Sequence, residues 1–211
     1  MPNLYHVASI GIRGISNCIL NRALSVSFEV TRSCNASCKH CHLKGSILEE
    51  EQASAEDYAK RCCELKPYVV AMLSGGEPLL RKDLEKIIKA LKEEGKAAYI
   101  TVSTNGALLD KQRYDSLREA GIDLFSISFD YPDKLHDTFR GIPGLLSKIL
   151  KLLKDIQHLE DNAITFCCVV QKDNYKDLPL IAEFARKWRV KLNLSTYTWL
   201  RTNRKEYMIS N

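Results

Sequence analysis

The sequence predicts an α/β protein, a partial barrel of six parallel strands with helices on its outer side. Three observations carry that expectation. Short apolar runs alternate with amphipathic stretches. The alternation recurs about every 30 residues, the length of a βα unit. Within four of the six apolar runs, polar residues occupy every second position, so each of those strands has one polar face.

The strand candidates are Val26–Thr31, Tyr68–Ser74, Ala98–Thr104, Leu124–Phe129, Ile164–Val170 and Leu192–Tyr197. Between them lie helix candidates at Glu56–Leu65, Leu84–Glu94, Lys111–Ala120, Leu145–Leu159 and Leu178–Trp188. Leu84, Ile87, Ile88 and Leu91 recur at helical spacing, and Gly95 provides a stop. Asp110 suits an N-cap and Gly121 a terminator. Helices between successive strands favour parallel connections. Six strands fit an open, TIM-like (β/α)6 barrel rather than a closed eight-stranded one.

Residues 1–24 read as a surface lead-in, 25–197 as the core domain and 198–211 as a tail. That tail is too short for a covering helix, so the expectation is a truncated or trimmed chain lacking its last helix. Covering helices must pack on the apolar strand faces, which leaves the polar faces inward. Those faces are Ser25, Ser27, Glu29 and Thr31; Thr101, Ser103 and Asn105; Ser126, Ser128 and Asp130; and Asn193, Ser195 and Tyr197. Closed barrels fill their interior with branched aliphatics. A polar lining instead points to a wet cavity for a polar ligand.

The chain has 211 residues, a formal net charge of +5 and eight cysteines. No apolar run reaches the ~18 residues of a membrane span. The start lacks the basic and apolar segments of a secretory signal. Unsecreted cysteines point to a reducing, cytoplasmic setting and to metal or redox use. Basic residues are mixed with acids, without a dense run carrying aromatics, so a nucleic-acid partner is not expected.

Two motifs carry chemistry. Cys34, Cys38 and Cys41 stand in a C-x3-C-x2-C arrangement just after the first strand. Three thiolates are one ligand short for a tetrahedral zinc or a cubane iron–sulfur cluster. Either a fourth protein ligand lies elsewhere or one metal position is open. The second motif, Ser74-Gly75-Gly76-Glu77-Pro78, ends the second strand. Its glycines allow close approach of backbone to a ligand. Both motifs fall at the C-terminal ends of strands, where parallel α/β folds place their sites.

Together these motifs, in this order and followed by further βα units, resemble the radical S-adenosylmethionine (SAM) superfamily from Ser25 to Tyr197. The resemblance implies a [4Fe–4S] cluster held by Cys34, Cys38 and Cys41, with SAM on the fourth iron. It implies reductive cleavage of SAM to a 5′-deoxyadenosyl radical, which abstracts hydrogen from a substrate. It also implies an electron donor such as flavodoxin or ferredoxin and an oxygen-poor cytoplasm.

Residue by residue, the resemblance places Gly75, Gly76 and Glu77 at the SAM amino group. Ser103 and Asn105 fall near the ribose, and Ser128 at the ribose or carboxylate. Arg140 matches the residue on the SAM carboxylate, while Val170 and His40 fall near the adenine. The substrate is not legible beyond a peptide, lipid or small metabolite. Two other readings remain open: a non-catalytic cluster- or SAM-binding scaffold, and a Cys3His zinc site using His40 or His42.

The remaining chemistry-bearing residues have plainer readings. Cys62, Cys63, Cys167 and Cys168 read as small buried apolar residues, although alternation sends one of Cys167 and Cys168 inward. Cys18 reads as incidental. Glu29 and Asp130 face substrate or accept from strand-end amides. His136 and Asp137 shape a turn before Arg140. Trp188 packs a helix on the sheet, and Trp199 caps the cavity or covered a lost helix.

Overall fold

The computed structural model describes residues 4–43, 45–159, 162–200 and 202–209. Six strands form one sheet in chain order: β1 (Ser25–Thr31), β2 (Val70–Gly75), β3 (Tyr99–Thr104), β4 (Leu124–Ser128), β5 (Ile164–Val170) and β6 (Lys191–Thr196). Every neighbouring pair is parallel. Each strand adds beside its predecessor, so the sheet winds in one direction as a barrel does. Among the described residues β1 and β6 pair only with their inner neighbours, and the barrel stays open.

The helices are α1 (Leu4–Ile19), α2 (Ala55–Leu65), α3 (Leu84–Glu93), α4 (Lys111–Ala120), α5 (Leu135–Arg140), α6 (Leu145–Ile156) and α7 (Leu178–Lys187). Local chemistry explains their ends. Ser54 and Asp57 form a capping box on α2. The Asp110 carboxylate accepts from the Arg113 amide, and Gly121 closes α4 at φ +121°. Leu84, Ile87, Ile88 and Leu91 of α3 are fully buried in the same core as Leu73, Ile100 and Val102 of the sheet. Phe129 stacks on Phe166 at 4.2 Å and on Phe184 at 5.0 Å, joining β4 and β5 to α7. Trp188 packs against this core, as expected.

Three features depart from the sequence expectations. The lead-in contains α1, whose helical signal is masked by Gly11 and Gly14, each costing about 1 kcal/mol of propensity. Buried Asn17 docks it, donating to Ala23 O at 2.7 Å and Pro67 O at 3.1 Å. The turn before Arg140 is helix α5, at six residues too short to show a period. The polar face of β1 is broken by a bulge, where Glu29 pairs with Ser74 but Thr31 pairs with Gly75. Thr31 is therefore buried, and its hydroxyl donates to the Glu50 carboxylate at 2.5 Å.

The polar faces of β3 and β4 lie as expected as far as Asn105 and Ser128, which line the cavity, but Asp130 beyond them is fully buried. Ser103 and Ser126 are register partners, as are Ser128 and Cys167. Cys62 is buried, but Cys63, about 100° further round α2, is exposed, against the expectation of a buried residue. Among the described residues no α-helix follows β6, and Leu194 on its apolar face is 48% exposed. No helix of the described residues is long and apolar enough to cross a membrane. Met1–Asn3, Arg201 and Ser210–Asn211 of the terminal segments lie outside the described residues.

Gly95 does more than stop α3. A Cβ there would stand 2.2 Å from the buried Tyr68 hydroxyl and 2.9 Å from Cys62 Cβ. Gly95→Ala is expected to destabilise the fold by about 1–3 kcal/mol through overpacking. Urea unfolding checks this, and the cost should fall in part in a Tyr68→Phe background, which removes the nearest oxygen but leaves Leu91 O at 2.8 Å.

Candidate metal and ligand site

The cysteine loop between β1 and α2 has no regular structure, so its neighbours hold it. The amides of Ser37 and Lys39 donate to the carbonyls of Arg140 and Phe139, both at 3.0 Å. These carbonyls end α5 and have no partner within the helix. Gly141 follows at φ +66°, and any Cβ there would meet the Ser37 hydroxyl at 2.0 Å. Asn105 donates to the Asn35 side chain at 2.8 Å, fixing the loop to the end of β3. Gly45, at φ +70°, lies close to the Ala36 carbonyl as the loop returns.

The end of β2 lies directly on this loop. Gly76 N donates to Thr31 O at 2.7 Å, and Glu77 N donates to Ser33 O at 2.8 Å. A Cβ on Gly75 would stand 2.1 Å from Thr31 O, and one on Gly76 would stand 2.1 Å from Ser33 O. In this structure the glycines are required by the chain's own backbone, which crosses under them.

Glu77 is also committed internally. Its carboxylate accepts from Thr104 Oγ1 at 2.7 Å, Asn105 N at 2.7 Å and Leu79 N at 3.1 Å. Burial pushes its pKa above the usual carboxylate range, against the pull of those three donors. It clamps the end of β2 to the end of β3.

Cys34, Cys38 and Cys41 line one cavity of about 180 Å³ with His40. Gly75, Gly76 and Glu77 form a second wall. Ser103, Asn105, Ser128 and Arg140 complete it from β3, β4 and α5. Eleven of the twelve site residues expected from the sequence thus converge. Val170 stands apart, sharing its strand face with the buried Phe166 and Cys168.

Each sulfur has its own N–H donor. Ala36 N lies 3.5 Å from Cys34 Sγ and Leu43 N 3.5 Å from Cys41 Sγ. Arg140 Nη1 lies 3.6 Å from Cys38 Sγ. Without a cation, burial pushes the Cys34 thiol up to about 11 and raises that of Cys38, although Arg140 pulls the latter down. Among the described residues no group of three His, Cys, Asp or Glu side chains could hold a single metal ion as it stands. Three sulfurs with separate donors in one cavity fit a cluster bound through several irons better than one tetrahedral zinc.

Sequence reasoning missed the partner of Arg140. Asp130, fully buried, accepts from Arg140 Nε at 2.7 Å and lies 2.5 Å from Nη2. It is not among the residues lining the cavity, and its other oxygen accepts from the Val169 amide of β5, as one of the two expected readings had it. Burial disfavours the Arg140 charge, but Asp130 and the Cys38 sulfur outweigh that and hold its pKa above the ordinary value. His40 stacks on Phe139 at 5.0 Å with Tyr197 at its edge. Trp199 lies under Lys205 Nζ at 4.7 Å, in the segment after β6.

Residues 28–185 match the family model described as the radical SAM superfamily. The chain belongs to the radical SAM superfamily. Relatives include an Fe-coproporphyrin III synthase of Methanosarcina barkeri, 31% identical over 78% of this chain and 41% of its own length. A protein named "Probable GTP 3',8-cyclase" from Thermoplasma volcanium is 30% identical over 88% of this chain and 58% of its own.

Among solved structures, Streptococcus suis SuiB bound to its precursor peptide SuiA matches with a TM-score of 0.72 and 20% identity. That match covers 98% of this chain and 45% of SuiB. His6-tagged anSMEcpe with bound AdoMet (SAM) matches at 0.66 and 18%, covering 83% of this chain and 51% of its own. Both likenesses bear out the open α/β barrel. This radical SAM chain spans less than half the length of the Methanosarcina relative.

Two outcomes follow from this geometry. Gly76→Ala should misplace the cysteine loop, and iron bound per chain after reconstitution should fall severalfold. His136 is fully buried, and burial lowers its pKa to about 4 from an ordinary 6.5. The folded protein resists its protonation, so its contribution is present above pH 6.5 and lost as pH falls toward 4. At pH 5 the loss is on the order of 2 kcal/mol. Urea unfolding of His136→Gln should show a weaker acid dependence than wild type.

Proposed function

We propose that this chain is the catalytic core of a radical SAM enzyme, with a [4Fe–4S] cluster on Cys34, Cys38 and Cys41 and SAM at the remaining iron. The carrying observation is that three sulfurs, each with its own N–H donor, line one cavity with the Gly75-Gly76 turn. The bound cofactors supply one-electron cleavage of SAM to a 5′-deoxyadenosyl radical, which abstracts hydrogen from the substrate.

The chain's own residues hold and shield. The N–H donors of Ala36 and Leu43 and the Arg140 guanidinium stabilise thiolate sulfur. The glycine turn offers backbone groups to the ligand's amino group. Ser103, Asn105 and Ser128 present hydroxyl and amide groups to a ribose from the ends of β3 and β4. His40, stacked on Phe139, offers an aromatic wall for the adenine. The substrate is a peptide, lipid or small metabolite, entering over the polar face of the sheet. A flavodoxin- or ferredoxin-type donor in an oxygen-poor cytoplasm supplies the electron.

Anaerobic reconstitution should give a brown protein with about four irons per chain, which releases 5′-deoxyadenosine on addition of dithionite and SAM. Cys38→Ala should abolish both. Cluster formation and SAM binding without cleavage would favour the scaffold reading. Stoichiometric zinc without iron would refute the proposal.

A further inference from the structure

Buried Asp130 is, like Glu77, held on every side by hydrogen bonds near the cavity. One carboxylate oxygen holds the Nε–Nη2 edge of Arg140. The other accepts from the Val169 amide of β5 at 3.2 Å. Its backbone N–H donates to His136 Nδ1 at 3.4 Å, and its carbonyl accepts from Asn174 Nδ2 at 3.4 Å. An acid anchored to β5, α5 and the following loop has little freedom to move. Its edge-on grip fixes the guanidinium plane, which sends Nη1 to Cys38 Sγ at 3.6 Å.

We propose that Asp130 is a positioning residue which, through Arg140, holds a positive charge against one cluster ligand and so sets the cluster's reduction potential. The proposal rests on the cluster reading above. It differs from the carboxylate role expected for Arg140, because the Nε–Nη2 edge already belongs to Asp130. Hydrogen bonds and charge at ligand sulfurs tune iron–sulfur potentials. A cation beside Cys38 favours the state carrying one more electron. Uptake of that electron from a flavodoxin- or ferredoxin-type donor makes and breaks no bond.

The sign of one measurement separates positioning from simple charge. If Asp130 acted only as a nearby negative charge, its removal would raise the potential. If it aims Arg140, its removal releases the guanidinium from Cys38 and lowers the potential.

The experiment is an EPR-monitored redox titration of reconstituted wild type, Asp130→Asn, Arg140→Gln and the double variant. Iron content and circular dichroism are read first. Both single variants should shift the midpoint to more negative values, with the double variant no lower than Arg140→Gln alone. A positive shift or an unchanged midpoint in Asp130→Asn overturns the proposal while leaving the cluster assignment intact. If Asp130→Asn takes up no iron, Asp130→Glu decides the matter. It keeps the charge but displaces the guanidinium, so a negative shift supports positioning and an unchanged midpoint overturns it. A wild type that binds no iron refutes the cluster reading itself, and this proposal with it.

Discussion

The docking of the cysteine loop on the end of α5 is the contact on which the site depends. Three sulfurs on an irregular loop have no geometry of their own. Two loop amides meet two helix-terminal carbonyls that have no partner within the helix, so both sides satisfy groups that would otherwise be orphaned. Because the same helix turn carries Arg140, docking also brings a guanidinium to Cys38. Position and charge at this sulfur come from one piece of structure.

The glycine segment shows the same economy from the other side. Gly75 and Gly76 lie so close to the backbone at Thr31 and Ser33 that no side chain fits. The bulge in β1 turns Thr31 inward at this crossing. Glu77 then ties the turn to β3 through Thr104 and Asn105, and Asn105 returns to the cysteine loop through Asn35. The chain of contacts closes on itself, from β1 loop to β2 turn to β3 end and back. Such a closed network resists small displacements, which a cofactor site requires.

Much of this was legible in the sequence because it rests on local pattern. The strand and helix periods placed most elements to within a residue or two, and the spacing of Cys34, Cys38 and Cys41 marked the three thiols that line the cavity. The shorter and masked elements were not legible. Six residues of α5 span too little for a period, and two glycines hid α1. Residue parity failed where geometry interrupts it. The bulge moved Thr31 off the open face. Val170 obeys parity, on the face of Phe166 and Cys168, and it is the placement implied by the resemblance that the cavity does not include.

The sequence by itself determined the fold class, the polar inner faces of β3 and β4, and the residue types that gather at the strand ends. These follow from alternation and spacing, which need no knowledge of distant partners. Only the tertiary structure decided what those residues touch. Asp130 shares a strand pattern with Ser126 and Ser128, yet it binds Arg140 and is fully buried. Glu77 sits in a ligand motif, yet spends its carboxylate on β3. A charged side chain goes where its charge is compensated, and that partner is set by the approach of segments far apart in the chain.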